Sequence, residues 1–488
     1  MPTEPSDLVF VSALEAARAI ERGEVSSLEL TKHILERIEK YNPPINAVVT
    51  TIKDDALNRA RAADEALGKG ELWGPLHGVP CTIKDTIEIA NVITTAGSPD
   101  LATHMPKRHA DVVERLLGAG AVIIGHTNAP LMGGDWQSYN EVYGTTNNPW
   151  DHTRTPGGST GGGAAALAAG LSYLSIGSDI GGSIRIPAHF CGVYGHKPSL
   201  NVVPMRGHIP PPPEVLIPPQ DLAVTGPLAR SAADLKLALK IIGGPDPADA
   251  IAYSWNLPPS RGTRLSDYRI GYVLDDTLCP VNSDVKEVLT QAVKALRKTG
   301  VKLEEGWPSG VNPSEQYEIY RFLLISTEAN KLRTKHLKKF REIAARKDGS
   351  EEARIAWAWT APHKYFQAVS SARISTRAIW QDYFRTHDVF LLPTAFTSAF
   401  PHDHSQPFER RKFITEEGPR SYYDLSFWIS FATLSGLPAT TAPIGLTKDG
   451  LPVSIQIVGP YLEDATSIDF AGQMADVIGE FQPPKSYI

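Results

Sequence analysis

Cysteine is scarce in this sequence: Cys81, Cys191 and Cys279 are the three among 488 residues. So small and odd a number cannot build a disulfide framework, which favours a reducing compartment. A dominant sign of charge is also lacking. Lys plus Arg number 48 against 54 for Asp plus Glu, a formal net charge of −6. That balance argues against nucleic acid or an anionic membrane as the main partner. No stretch reaches the roughly 18 apolar residues of a membrane span. The nearest, Gly161 to Gly177, is mostly Gly, Ala and Ser. The opening Met1-Pro2-Thr3-Glu4-Pro5-Ser6-Asp7 is acidic where a signal peptide would be basic. A cytoplasmic protein is the expectation. There is no internal repeat, and 42% hydrophobic with 21% charged residues is ordinary globular composition, which sets aside disordered, collagen-like and coiled-coil classes.

What is present reads as alternating helices and strands. Ser12 with Glu15, and Ser26 with Glu29, have capping-box spacing, each predicting a helix start. Leu30, Ile34, Leu35 and Ile38 then repeat at helical period. Asp111 to Gly118 reads as a helix and Ala121 to Ile124 as a short buried strand. Arg269 to Leu274, Val389 to Leu392 and Val453 to Ile457 read as further strands. In the last, Ser454 and Gln456 alternate with apolar residues, predicting one less buried face. This alternation indicates an α/β sheet. Prolines cluster at Pro210 to Pro213 and at Pro218-Pro219, a stiff loop that is either a surface spacer or a cleft wall. Gln316 to Arg385 reads as mainly helical, and Trp357, Trp359 and Trp380 within it read as core.

The unusual composition lies between Thr155 and Pro198. Gly157-Gly158-Ser159-Thr160-Gly161-Gly162-Gly163 comes first, and Gly177-Ser178-Asp179-Ile180-Gly181-Gly182-Ser183-Ile184-Arg185 follows. Glycines let backbone N–H groups converge on an anionic oxygen. No Lys follows to make a phosphate loop, and the dinucleotide fingerprint lacks its third Gly and its preceding strand. Gly157 to Gly161 also fits a Gly-x-Ser-x-Gly nucleophile elbow. The preceding Asp151-His152-Thr153-Arg154-Thr155-Pro156 is no buried strand, so that match reads as a decoy. His189 and His196 lie near Ser183 but no acid follows either at an obvious supporting position, so both read as structural. His402-Asp403-His404 offers two ligands without a third, and reads as a solvated loop rather than a metal site.

Taken together, the two Gly-Gly-Ser frames, Phe190-Cys191-Gly192-Val193-Tyr194-Gly195-His196-Lys197-Pro198 and the upstream Gly78-Val79-Pro80-Cys81-Thr82-Ile83-Lys84-Asp85 closely resemble the amidase signature family. Thr127-Asn128, Asn148-Pro149-Trp150, Gly226-Pro227-Leu228-Ala229-Arg230-Ser231 and Ser435-Gly436-Leu437-Pro438-Ala439 extend the likeness. It departs at Thr160, where the family usually has Ser, and at Gly163, where Ser is commoner. The resemblance implies one α/β domain over residues 1–488, a twisted mixed sheet covered by helices on both faces. Residues 60–240 would be the signature core and 310–385 a mainly helical, substrate-side insertion. It implies a Ser-Ser-Lys triad of Lys84, Ser159 and Ser183, with a cis peptide before Ser159. An oxyanion hole would use the N–H groups of Ile180, Gly181, Gly182 and Ser183.

The implied activity is hydrolysis of a small-molecule amide, with carbamates and esters as related carbonyls, through an acyl-serine and without metal or cofactor, by a monomer or homodimer. Two alternatives stand beside it. One is the A subunit of a tRNA-dependent amidotransferase, although such subunits typically carry Ser-Leu-Asp-Gln where this chain has Gln220-Asp221-Leu222-Ala223. The other is a catalytically dead scaffold, against which the intact Lys84, Ser159 and Ser183 argue. Lys84 can act as a base only when neutral, so its pKa must fall from about 10.4 toward 7, about 4 kcal/mol, within reach of burial. Asp85 would oppose this unless strand alternation turns it to the other face. Asp179 and Arg185 are expected to brace the second loop. Met132, Gly133, Gly134, Asp135 and Trp136 are expected substrate contacts, with Trp136 suggesting an aromatic or bulky acyl group.

Overall fold

The computed structural model describes residues 4–211, 213, 221–329 and 333–488. Both N-terminal capping boxes form, at Ser12 before the helix Ala13–Glu21 and at Ser26 before the helix Ser27–Ile45. The chain then builds an 11-stranded sheet. Its strands are β1 (Val48–Thr51), β2 (Pro80–Lys84), β3 (Val122–Thr127), β4 (Leu174–Asp179), β5 (Tyr194–Lys197), β6 (Val224–Ala229), β7 (Arg269–Tyr272), β8 (Lys302–Glu305), β9 (Val389–Pro393), β10 (Ala439–Leu446) and β11 (Pro452–Val458). Their spatial order is β1-β3-β2-β4-β6-β5-β10-β11-β9-β7-β8. Pairing is mixed: β2 runs parallel to β3 and β4, whereas β4–β6, β5–β10 and β10–β11 are antiparallel.

Every residue of β2, β3, β4, β6, β9 and β11 is buried. A strand buried along its whole length is covered on both faces, so helices flank the sheet on either side. This is the α/β architecture expected. The expectation of a less buried face on β11 does not hold, because Ser454 and Gln456 are fully buried. Gln456 is accommodated there by hydrogen bonds at both ends of its amide. Its Oε1 accepts from Arg185 Nη1 at 2.6 Å, and its Nε2 donates to the Trp428 carbonyl at 2.9 Å.

Among the described residues of 313–383 there are four α-helices, Pro313–Ser326, Leu337–Ala345, Glu351–Thr360 and His363–Tyr383. Trp380 is core, fully buried. Trp357 is partly exposed, and Trp359 lines a cavity, so only one of the three tryptophans is wholly core. Of the proline-rich loop, Pro210 and Pro211 line a cavity, making that part a cleft wall. Pro212, Pro218 and Pro219 lie outside the described residues. Among the described residues no helix is long and apolar enough to cross a membrane.

At the end of β4 the chain turns through residues 180–184 into the helix Arg185–Cys191. Here Asp179 and Arg185, both fully buried, pair at 2.8 Å. Arg185 also donates to the Ile429 carbonyl and to Thr433 Oγ1. Removing one member of a buried, fully hydrogen-bonded pair strands the other's charge. Arg185→Met is therefore expected to lower unfolding stability by about 3–5 kcal/mol, measured as a fall in the denaturant midpoint. A change under about 1 kcal/mol would show that the pair is not needed to hold this corner.

Candidate active site

Lys84 ends β2, and parallel pairing of Ile83 with Ile176 brings it alongside β4. Its ammonium is fully buried and donates to Ser159 Oγ at 2.6 Å and Ser178 Oγ at 3.1 Å. Burial pushes its pKa down to about 7, while the negative charge of Asp179 acts the other way. Asp85 points to the opposite face of the strand, as alternation predicts. Its carboxylate accepts from the Thr95 amide at 3.1 Å and Thr95 Oγ1 at 2.5 Å, well away from Lys84.

Ser159 precedes the helix Gly161–Ala168, and the Gly158–Ser159 peptide is cis. Gly158 has no room for a side chain: a Cβ there would sit 2.5 Å from the Asp135 carbonyl and 2.7 Å from the Gln137 nitrogen. The departure at Thr160 is met locally. Its methyl group occupies the space above Gly177, where a Cβ would come within 2.3 Å. The amide of Thr160 donates to the Ser183 carbonyl at 3.1 Å, stitching the two glycine-rich loops together. No hydrogen bond joins Ser159 to Ser183 among the described residues. Both hydroxyl-bearing side chains instead line one cavity of about 400 Å³, so a relay requires rotation of one of them.

The carboxylate of Asp179 organises the second loop. It accepts from the Gly182 amide at 3.0 Å, the Ile184 amide at 3.1 Å and the Arg185 guanidinium. Burial alone would raise its pKa, but the charge and hydrogen bonds of Arg185, the charge of Lys197 and the Ile184 amide together hold it below the ordinary value. The expected bracing role is what the geometry supports. One detail differs from the four-amide oxyanion hole: the Gly182 N–H is turned to Asp179. The Ile180, Gly181 and Ser183 amides have no hydrogen-bond partner among the described residues.

Ser183 stands where two cavities meet. The first, about 280 Å³, is walled by Trp136, Ile180, Leu324, Ile325, Ile355, Trp359, Phe408 and Tyr423. The second contains Ser159 and His208, with Met132, Pro210, Pro211, Asp221 and Phe366. Gly133 and Gly134 border both. Asp135 borders the first, but its carboxylate is taken by Arg411 at 2.8 Å, Tyr422 at 2.7 Å and Tyr139 at 3.2 Å. No lysine or arginine lines either cavity among the described residues.

His189 and His196 are tied into the core. His189 accepts from the Ser454 amide at 2.8 Å, and His196 faces Asp464 at 3.1 Å. That acid lies far along the chain, where sequence inspection finds no support for His196. His402 and His404 join no group of three side chains able to hold a metal among the described residues.

The Amidase family pattern matches residues 29–468 of the chain. This protein belongs to the amidase family. It is 32% identical to the A subunit of the glutamyl-tRNA(Gln) amidotransferase of Carboxydothermus hydrogenoformans, over 95% of this chain and 96% of that one. Among solved structures it resembles one described as a vestigial protein complex that reveals the origins of an s-triazine catabolic enzyme. The TM-score is 0.80, with 26% identity over 97% of this chain and 99% of that one. A structure described as an amidase matches at TM-score 0.77 and 26% identity, over 96% of this chain and 100% of that one.

Two site residues lie outside every recognisable motif, and a third, Ser178, lies within the second glycine cluster with nothing to show what it touches. Ser178 reaches Lys84 only because β4 lies beside β2. His208 enters the second cavity from the loop after β5, with burial and the nearby Lys84 pushing its pKa down to about 4. Tyr320, in the helix Pro313–Ser326, donates to the Ile180 carbonyl at 3.0 Å. No local pattern marks the last two.

Gly158→Ala is expected to cost about 1–3 kcal/mol of stability through overpacking against backbone, and to displace Ser159 from Lys84. Thermal melting measures the first. A variant melting within a degree of the parent would show that the segment at Asp135 yields freely.

Proposed function

We propose that this protein cleaves the C–N bond of a small-molecule carboxylic amide through an acyl-Ser183 intermediate, with an apolar, ring-bearing acyl group in the cavity beside Trp136. The observation that carries this is the convergence of a buried, neutralisable Lys84 on Ser159 with Ser183 lining the same cavity. A serine hydroxyl is a poor nucleophile until a neighbouring base takes its proton. Neutral Lys84 accepts the proton of Ser159, which takes that of Ser183. The Ser183 oxygen then attacks the carbonyl carbon, and the oxygen of the resulting tetrahedral adduct takes the negative charge.

Free N–H groups of Gly181 and Ser183, with Ile180, supply preorganised donors for that oxygen. Collapse breaks the C–N bond, and the proton returns through Ser159 to the departing nitrogen. Ser159 lines only the second cavity, so the leaving amine belongs there and the acyl group in the first. Water, deprotonated along the same path, attacks the ester and releases the acid and free Ser183. The base is organic and the oxyanion donors are backbone, so activity is expected to survive exhaustive chelation.

The sequence relatives support a second reading more directly than the first: the A subunit of an amidotransferase, which would draw ammonia from an amide and work with partner subunits. What supports the hydrolase is the apolar part of the first cavity's lining, with Trp136, Leu324, Ile355, Trp359 and Phe408. A panel of anilides, aliphatic amides, carbamates, esters and glutamine, assayed on the chain alone, separates the two. Turnover of an aryl or branched apolar amide far above glutamine is the expected result. Glutamine as the best substrate, or copurification with partner subunits that raises the rate, would establish the second reading instead.

Two predictions test the chemistry. Ser183→Ala should abolish turnover and labelling by a serine-reactive phosphonate, while Ser159→Ala should lower the rate severely yet label slowly. Label found on Ser159 would reverse the assignment. For Lys84 the sign follows from its lowered pKa. Below about 7 the amine is charged and cannot accept a proton; above it the neutral base is present. The rate is therefore expected to rise through about pH 7 to an alkaline plateau. Lys84→Arg, whose guanidinium stays protonated, should be nearly as inactive as Lys84→Ala. A folded arginine variant with an unchanged pH profile would remove Lys84 from the mechanism.

A further inference from the structure

We infer that Tyr320 and Trp136 are positioning residues for the oxyanion loop, each holding one backbone carbonyl of residues 180–181 so that the loop's free amides are presented to the cavity at Ser183. The inference rests on the reading of Ser183 as the nucleophile.

In a trans peptide the carbonyl and the following N–H point in opposite directions. Anchoring a carbonyl therefore aims the next amide. The Ile180 carbonyl accepts from the Tyr320 hydroxyl at 3.0 Å, which directs the Gly181 N–H the other way. The Gly181 carbonyl accepts from Trp136 Nε1 at 2.7 Å, directing the Gly182 N–H to Asp179, where it is bound at 3.0 Å. The Gly182 carbonyl accepts from the Ile186 amide at 2.7 Å, which turns out the Ser183 N–H. Three successive carbonyls are thus tied, and the Gly181 and Ser183 amides are left without a partner among the described residues. Two of those ties come from side chains of distant segments.

The loop needs such external anchors. Gly181 has no side chain, and a Cβ there would meet nothing closer than 3.6 Å, so the loop has no side-chain packing of its own at this position. A turned peptide would present a carbonyl, not a donor, to a developing negative charge. Tyr320 is fully buried and Trp136 nearly so, and burial raises the Tyr320 pKa well above its ordinary value, keeping the hydroxyl a donor. Tyr320 also shares its helix with Leu324, one turn on, which lines both cavities. The helix wall that touches the substrate is therefore the one that aims the Gly181 amide.

The test is Tyr320→Phe, which removes one oxygen and keeps the ring, with Trp136→Phe as an independent second variant. Losing a direct oxyanion donor costs about 10²–10³ in rate; losing its orientation is expected to cost about tenfold in kcat, or about 1.4 kcal/mol. KM should change less than twofold. Affinity for phenylboronic acid, which forms a tetrahedral adduct on serine, should fall by the same tenfold. Affinity for benzoate, a planar ground-state mimic, should stay within twofold. Thermal melting confirms folding; should Tyr320→Phe not fold, Trp136→Phe is read by the ratio of boronate to benzoate affinity, expected to fall about tenfold, because Trp136 also walls the acyl cavity and its replacement alters both affinities. A folded variant with parental kcat and boronate affinity would overturn the inference, as would equal losses of boronate and benzoate binding, the mark of a role in packing alone. Failure of the underlying reading looks different: Ser183→Ala would then retain turnover.

Discussion

The buried pairing of Asp179 with Arg185 is the interaction on which the site's geometry depends. Six residues apart in sequence, the two side chains clamp both sides of the loop that carries Ser183. Arg185 extends the clamp to Ile429 and Thr433 in the helix Phe427–Ser435 and to Gln456 in β11. A buried ion pair is weak evidence for stability in itself, because desolvation consumes most of its Coulombic gain. What it gives here is placement. The Asp179 carboxylate spends its lone pairs on backbone amides of the loop, so the charge is satisfied only when the loop has one conformation.

Lys84 depends on the same neighbourhood in a balanced way. Its burial favours the neutral amine, and Asp179 favours the charged one. Asp85, adjacent in sequence, stays out of this balance because strand alternation turns it toward Thr95.

The two cavities join groups from different parts of the fold. The residues at the reacting centre come from β2, the glycine-rich loops and the end of β4, all parts of the sheet's rigid interior. The walls come from the helical segment, from the loop around Trp136 and from Pro210 and Pro211. The two are separate stretches of chain, joined where Tyr320 and Trp136 hold the carbonyls of residues 180–181.

Much of this is legible in the sequence because its cause is local. Capping boxes, the helix Asp111–Gly118, the buried strands and the departure of Asp85 from Lys84 follow from spacing over a few residues. The motif glycines are legible for the same reason, since Gly158 sits where only a hydrogen fits. Strand β11 reads wrongly at Ser454 and Gln456 because polarity along one strand does not reveal a helix packed on its outer face. The partners of the Gly182 amide and of Ser178, and the places of His208 and Tyr320, are not legible. Their roles arise from which strand lies beside β2 and which helix crosses the loop after β4, pairings between residues up to 140 positions apart. The sequence by itself marked the candidate reacting groups, a lysine and two serines in glycine frames. Only the tertiary structure decided which amides remain free, which carbonyls are tied and what walls the substrate meets, because those depend on long-range packing that no local pattern encodes.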